Sequence, residues 1–145
     1  MNADAAAAPF RFSLRVYWED TDAGGVVFYA NYLKFFERAR TEWLRALGIG
    51  QQRLREQTGA IFVVAETALR YRAPARLDEW LSVSVEPTEI GQATISLNQQ
   101  ARRDDLLLCE GRIRIGCVDA QTFRPRRFPP QVATTMGALQ ARTRR

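Results

Sequence analysis

Two carboxylates, Asp20 and Asp22, flank Thr21 just ahead of a glycine pair, Gly24 and Gly25, and a strongly helical run opens at Tyr29. A carboxylate held beside a helix start lies next to exposed backbone N–H groups and the positive end of the helix dipole. That is equipment for attack on a carbonyl: the carboxylate activates water or attacks directly, and an amide stabilises the developing oxyanion. The residues leave open whether the carboxylate is a general base or a nucleophile that forms an anhydride. A blander role also stands, because an Asp before Gly commonly accepts hydrogen bonds from its own turn and does nothing more.

The chain contains no histidine, which narrows the chemistry. Serine hydrolysis through a Ser–His pair is closed, and no Gly-x-Ser-x-Gly elbow is present. A thiolate leaves without a strong general acid, since a thiol has a pKa of about 8.5. A thioester therefore suits this equipment better than an ester or an amide. Two cysteines without histidine are too few to hold a structural zinc, and no motif calls for a metal or a cofactor.

At 145 residues the chain reads as one domain with a real core. Its net charge of +5 is carried by arginine, with Lys34 the only lysine. Such a balance raises a nucleic-acid partner, but the arginines are scattered and no aromatic–basic stacking platform occurs. Local clusters are confined to Arg124, Arg126 and Arg127 and to the tail Arg142, Arg144 and Arg145. No apolar run is long enough to span a bilayer. The start, Met1 to Pro9, lacks a basic segment and carries Asp4, so it reads as a disordered lead-in rather than a signal peptide, and a cytoplasmic location is expected. Cys109 and Cys117 share one strand-like run. At about 3.3 Å per residue they stand about 26 Å apart, beyond the roughly 7 Å reach of a disulfide. Both are expected to be reduced and buried.

Phe10, Phe12, Leu14, Val16 and Trp18 alternate with polar residues, which marks a half-buried strand. After the Glu19–Gly25 turn, a long helix is expected from about Tyr29 to Leu47. Tyr32, Phe36, Ala39, Trp43 and Leu47 recur on its buried side, and Gly48 ends it. A short helix over Gln51–Gln57 follows. Strands are then expected through Phe62–Tyr71, Leu81–Val85, Ala93–Gln99 and Leu106–Val118, with a bulge or kink at Gly111 and a tight turn at Arg103–Asp105. An antiparallel sheet with one apolar helix buries that helix only by wrapping it. The fold class is α+β: about five strands curled around a central helix over residues 10–132, with the lead-in at 1–9 and a basic C-terminal tail at 133–145 whose last residues, Arg142 to Arg145, read as disordered.

This order and motif resemble the hot-dog thioesterases, among them the 4-hydroxybenzoyl-CoA thioesterase family and its Tol–Pal-associated acyl-CoA thioesterases. The resemblance runs from about residue 11 to 130. It rests on Arg15–Val16, Asp20–Thr21–Asp22, Gly25–Val26–Val27, Tyr29, Asn31–Tyr32 and Phe35 to Glu42, with Ala73–Pro74–Ala75–Arg76–Leu77–Asp78 in support. It implies an acyl-CoA hydrolase acting through Asp22, with the Tyr29 backbone N–H as oxyanion donor and Gly25 and Val26 against the substrate. It also implies a site at a dimer seam, in a homo-oligomer that is at least a dimer, with a tetramer of two dimers expected. The acyl carrier is CoA or an acyl carrier protein. Many Tol–Pal-type members carry histidine at the place of Tyr29. A backbone donor survives that change, so it bears on substrate choice. The family's basic residue in the turn before the fourth strand is absent here, where the turn is Glu89 to Gln92.

By the same resemblance Arg126 matches a basic position after the last strand and is a candidate for CoA phosphate, against a plain surface role. Asp20 is assigned to turn structure, and Tyr32, Phe36 and Trp43 to the core. Lys34 and Glu37 belong either to a solvated face or to a partner's site. Hot-dog dehydratases rely on histidine, so that branch is closed. The rival from another class is a non-catalytic hot-dog module that binds acyl carriers or cell-envelope proteins. The combination of Asp22, Gly25 and Tyr29 argues against it.

Overall fold

A computed structural model describes residues 8–143. Alternation at the start makes β1 (Phe10–Arg15), which buries Leu14, and a 3-10 turn follows at Trp18–Asp20. Helix α1 (Asn31–Ala46) and helix α2 (Gln51–Thr58) come next. Four strands complete the sheet: β2 (Ala60–Tyr71), β3 (Trp80–Ile90), β4 (Thr94–Arg103) and β5 (Leu106–Asp119). The order across it is β1-β3-β4-β5-β2, antiparallel throughout. The expected hairpin between β4 and β5 turns at Asp104 and Asp105. Among the described residues no helix is long and apolar enough to cross a membrane.

The helix packs where its periodicity said it would. Tyr32, Phe35, Phe36, Ala39, Trp43 and Leu44 are buried against the sheet, and Gly48 ends α1 with φ +85°. The opposite stripe, Leu33, Lys34, Glu37 and Arg38, stays exposed. One sheet therefore covers one face of α1 rather than most of its circumference. Apart from Leu33 that open stripe is charged and needs no cover.

Gly111 lies in register, opposite Gln99 on β4 and Leu69 on β2, so the expected bulge is not there. Its role is close approach. A Cβ at Gly111 would stand 2.6 Å from Leu69 Cδ2 and 3.0 Å from Phe36 Cε2, so this glycine lets α1 settle on the sheet. The register shifts fall instead at Val64/Glu66, at Pro87/Glu89 and at Ala101/Arg102. Cys109 and Cys117 are free and buried, as the spacing predicted.

The C-terminal segment corrects the expectation of a tail. Pro130–Thr143 is a helix, α3, that buries Val132 and Met136 and packs Leu139 against the core. The i, i+4, i+7 spacing of these three supplies one short apolar face, and Pro130 suits a first helical position. Residues 1–7 of the lead-in and Arg144 and Arg145 of the tail lie outside the described residues.

Candidate active site

The turn before α1 is built on Asp20. Its Oδ2 accepts the Tyr17 N–H at 2.8 Å and its Oδ1 accepts the Asn31 Nδ2–H at 2.9 Å. Its backbone carbonyl accepts the Phe28 N–H at 2.8 Å. With 4% exposure and both oxygens engaged, Asp20 holds structure, as its assignment from the sequence had it.

Asp22 sits on the solvent side of the same turn. Its Oδ1 accepts the Gly24 N–H at 2.8 Å and the Val26 N–H at 3.4 Å. Its own N–H donates to the Val26 carbonyl at 2.9 Å, and its carbonyl accepts the Gly25 N–H at 3.0 Å. Gly25 supplies the positive φ, +81°, that this tight loop needs. One oxygen of Asp22 thus does what a turn carboxylate does. The other, Oδ2, has no hydrogen-bond partner among the described residues, and the side chain is exposed. The turn engages one oxygen of the carboxylate and leaves the other open.

Beyond the loop, Val27 pairs back with Thr21 and the chain bends into α1 through Phe28, Tyr29 and Ala30. The Phe28 carbonyl accepts the Asn31 N–H at 2.8 Å and the Ala30 carbonyl accepts the Leu33 N–H at 3.1 Å. The Tyr29 carbonyl accepts the Tyr71 hydroxyl at 2.9 Å. Among the described residues nothing accepts the N–H of Tyr29 or of Ala30. These are orphan donors of a helix start, facing the charge preference of the dipole. The Tyr29 ring is 63% exposed and meets Tyr71 edge-on at 6.3 Å. Partial burial raises the Tyr71 hydroxyl above its ordinary pKa of 10.0, with the neighbouring Cys109 and Tyr29 adding to the shift, so it stays protonated and donates.

Tyr71 is the residue that reading the sequence missed. It counted there only as the end of a strand. The available signal was alternation: Leu69 and Tyr71 share the inward face, which carries the Tyr71 ring toward the helix start.

The downstream motif turns out to be the bed on which the turn rests. The Val27 N–H donates to the Ala75 carbonyl at 2.9 Å, and Val26 bridges to Arg76. Val16 and residues 78–79 exchange two hydrogen bonds of 2.9 Å, and Arg15 Nη1 donates to the Asp78 carbonyl at 2.7 Å. Glu79 and Arg103 pair at 2.8 Å, and Arg103 also reaches the Pro74 carbonyl at 3.2 Å. Segments 15–27 and 74–79 are one structural unit.

The remaining candidates lie elsewhere. Arg126 Nη1 donates to the Thr58 carbonyl at 2.9 Å and stands 3.8 Å from Asp119, tying the end of α2 to the exit of β5. Arg127 lines a cleft of about 300 Å³ with Gly91, Gln92 and Phe128, beside the turn where the expected basic residue is missing. Lys34 and Glu37 are exposed on α1. Cavities of about 450 and 220 Å³ open on the outer sheet face, around Asn98 and Arg112, and between α2 and β2. Asp22 and Tyr29 line none of the three.

Comparison with known proteins finds relatives over most of the chain. The sequence model described as "Thioesterase-like superfamily" matches residues 16–136. The chain is 47% identical over 131 residues to the acyl-CoA thioesterase YbgC of Haemophilus influenzae, covering 90% of this chain and 96% of that protein. It is 42% identical over 124 residues to the acyl-CoA thioester hydrolase YbgC of Escherichia coli O6:H1, covering 85% and 92%. Its fold matches the crystal structure of a probable thioesterase from Bartonella henselae with a TM-score of 0.79 and 31% identity, over 84% of this chain and all of that one.

Proposed function

The chain belongs to the thioesterase-like superfamily, and we infer that it is an acyl-CoA thioester hydrolase whose chemistry runs through Asp22 and the Tyr29 N–H. The observation that carries the site assignment is what the turn leaves unspent. Asp22 Oδ2 has no partner, and neither does the N–H of Tyr29 at the helix start. Both are held by the turn that Asp20 anchors, with Oδ1 of the Asp22 carboxylate fixing its orientation.

The thioester carbonyl oxygen accepts from the Tyr29 N–H, and its carbon becomes more electrophilic. As general base, Asp22 takes a proton from water as the water oxygen adds to that carbon. As nucleophile, it adds directly, and water later opens the mixed anhydride. On either route the carbon–sulfur bond breaks and CoA departs as a thiolate, leaving a free carboxylic acid. No histidine is required, and none exists in the chain. Gly25 and Val26 border the acyl group, next to the exposed rings of Phe28 and Tyr29.

A second copy completes the site. Strand β2 is 12 residues long and forms a sheet edge, and open edges favour pairing. Val64 is 48% exposed on it, and Phe28, Tyr29, Leu33 and Tyr71 are also large exposed apolar side chains. Pairing β2 with β2 of a second copy extends the sheet and covers these groups. We assign at least a dimer, with a tetramer of two dimers expected. CoA phosphates fall to arginines after β5: Arg126 through N–H groups other than Nη1, with Arg127 beside the Gly91 turn. The cytoplasmic location rests on the composition of the N-terminal segment, and the Tol–Pal association on the sequence resemblance. No observation favours the non-catalytic binding module.

A hydrolysis panel of short, long and aromatic acyl-CoAs, read by released thiol and run beside light scattering, tests the proposal. Turnover of at least one class by an oligomer supports it. Binding without turnover on every member would leave only the binding module.

A further inference from the structure

A phenylalanine at position 71 would serve the sheet as well as the tyrosine, except at one atom. The ring packs edge-on to Tyr29 and Tyr32, with centroids at 6.3 and 5.8 Å. The hydroxyl alone crosses from the end of β2 to the Tyr29 carbonyl, a contact between residues 42 apart.

That carbonyl has lost its ordinary partner. In a regular helix it would accept the N–H of Leu33, but the Leu33 N–H goes to Ala30. Two consecutive peptide groups are therefore gripped at their oxygens. Phe28 O is held by the Asn31 N–H within the turn, and Tyr29 O by a side chain from a different element. In a trans peptide the C=O and the N–H point opposite ways, so each grip aims an N–H. The first aims the Tyr29 N–H and the second aims the Ala30 N–H. Both are unaccepted among the described residues.

We propose that Tyr71 is a positioning residue for thioester hydrolysis: its hydroxyl fixes the Tyr29–Ala30 peptide so that the Ala30 N–H stands as a second donor beside that of Tyr29. This rests on the assignment of the Tyr29 N–H made above. Removing an oxyanion donor costs about 100- to 1,000-fold in kcat, and losing the grip misaims a donor without deleting it.

The test compares wild type, Tyr71→Phe and Asp22→Asn on the most rapidly hydrolysed acyl-CoA of the panel. For Tyr71→Phe, kcat is expected to fall roughly 10- to 100-fold with KM and Tm close to wild type. A hydroxyl that served only stability would lower Tm and leave kcat of the folded protein unchanged, and that result overturns the proposal. So does unchanged kcat with unchanged Tm. If Asp22→Asn loses turnover in the same experiment, the positioning role alone has failed. If both variants keep turnover, the site assignment beneath it has failed.

Discussion

The Asn31 side chain donates to Asp20 Oδ1 at 2.9 Å, and both residues are buried under the loop that carries Asp22. The first residue of α1 is thereby fixed to the 3-10 turn, so the helix start and the Asp22 carboxylate are parts of one rigid unit.

Asp20→Asn is expected to damage stability more than rate. Both Asp20 oxygens accept, from Tyr17 and from Asn31. An asparagine keeps one acceptor and turns an N–H₂ toward one of those donors, leaving a buried mismatch worth about 1–3 kcal/mol. Thermal unfolding should show Tm lower by several degrees, with kcat of the folded protein within a few-fold of wild type. A large loss of kcat at unchanged Tm would mean that the roles of Asp20 and Asp22 are exchanged.

Tyr29→Phe is expected to keep most activity, because the amide proposed as the oxyanion donor is untouched. The phenol's loss removes at most one hydrogen bond, worth about 0.5–1.5 kcal/mol or roughly tenfold in rate. Tyr29→Ala opens a hole beside the acyl group and should shift the preferred acyl class on the hydrolysis panel. A thousandfold drop in folded Tyr29→Phe would place the hydroxyl in the chemistry.

Local pattern made much of this legible. Alternation found β1, although the strand ends at Arg15 and Trp18 is exposed in the following turn, and the three-and-four spacing found the buried side of α1. What escaped depends on contacts between distant segments. Val26, Val27 and Val16 bond to the 75–79 segment, and nothing in either stretch alone announces that one beds the other. Helix α3 escaped for a similar reason: Val132, Met136 and Leu139 form a face only because Phe128 and the β3–β4 turn stand ready to receive it. Gly111 was read as a bulge because a strand glycine has two common uses, and only the position of Phe36 decides between them. The two oxygens of Asp22 show the limit from the other side. Residue type suggested two roles for that carboxylate, and only the folded turn shows that Oδ1 is engaged while Oδ2 is left open.

Stability should fall in alkali. Burial lifts the Cys109 thiol from 9.0 to about 12 and the Tyr32 hydroxyl from 10.0 to about 12. Each group stays protonated in the folded chain after it has ionised in the unfolded one. The Cys109 contribution is therefore intact below pH 9 and lost by about pH 12, and that of Tyr32 is lost between 10 and 12. Tm measured across this range should decline, and neither Cys109 nor the similarly raised Cys117 should react with a thiol reagent in the native protein at neutral pH. A flat Tm across the range, or fast labelling of the native protein, would contradict this reading of the core.

The most direct measurement is kcat for Asp22→Asn on the best acyl-CoA substrate, with folding checked by circular dichroism. Asparagine can still accept from Gly24 through its Oδ1, so the loop should hold its shape while the free carboxylate oxygen is lost. A folded protein with kcat lower by at least about 100-fold is expected, the scale of a lost positioned base. Near-wild-type turnover from folded Asp22→Asn would contradict it, because the chain has no histidine to take over the proton.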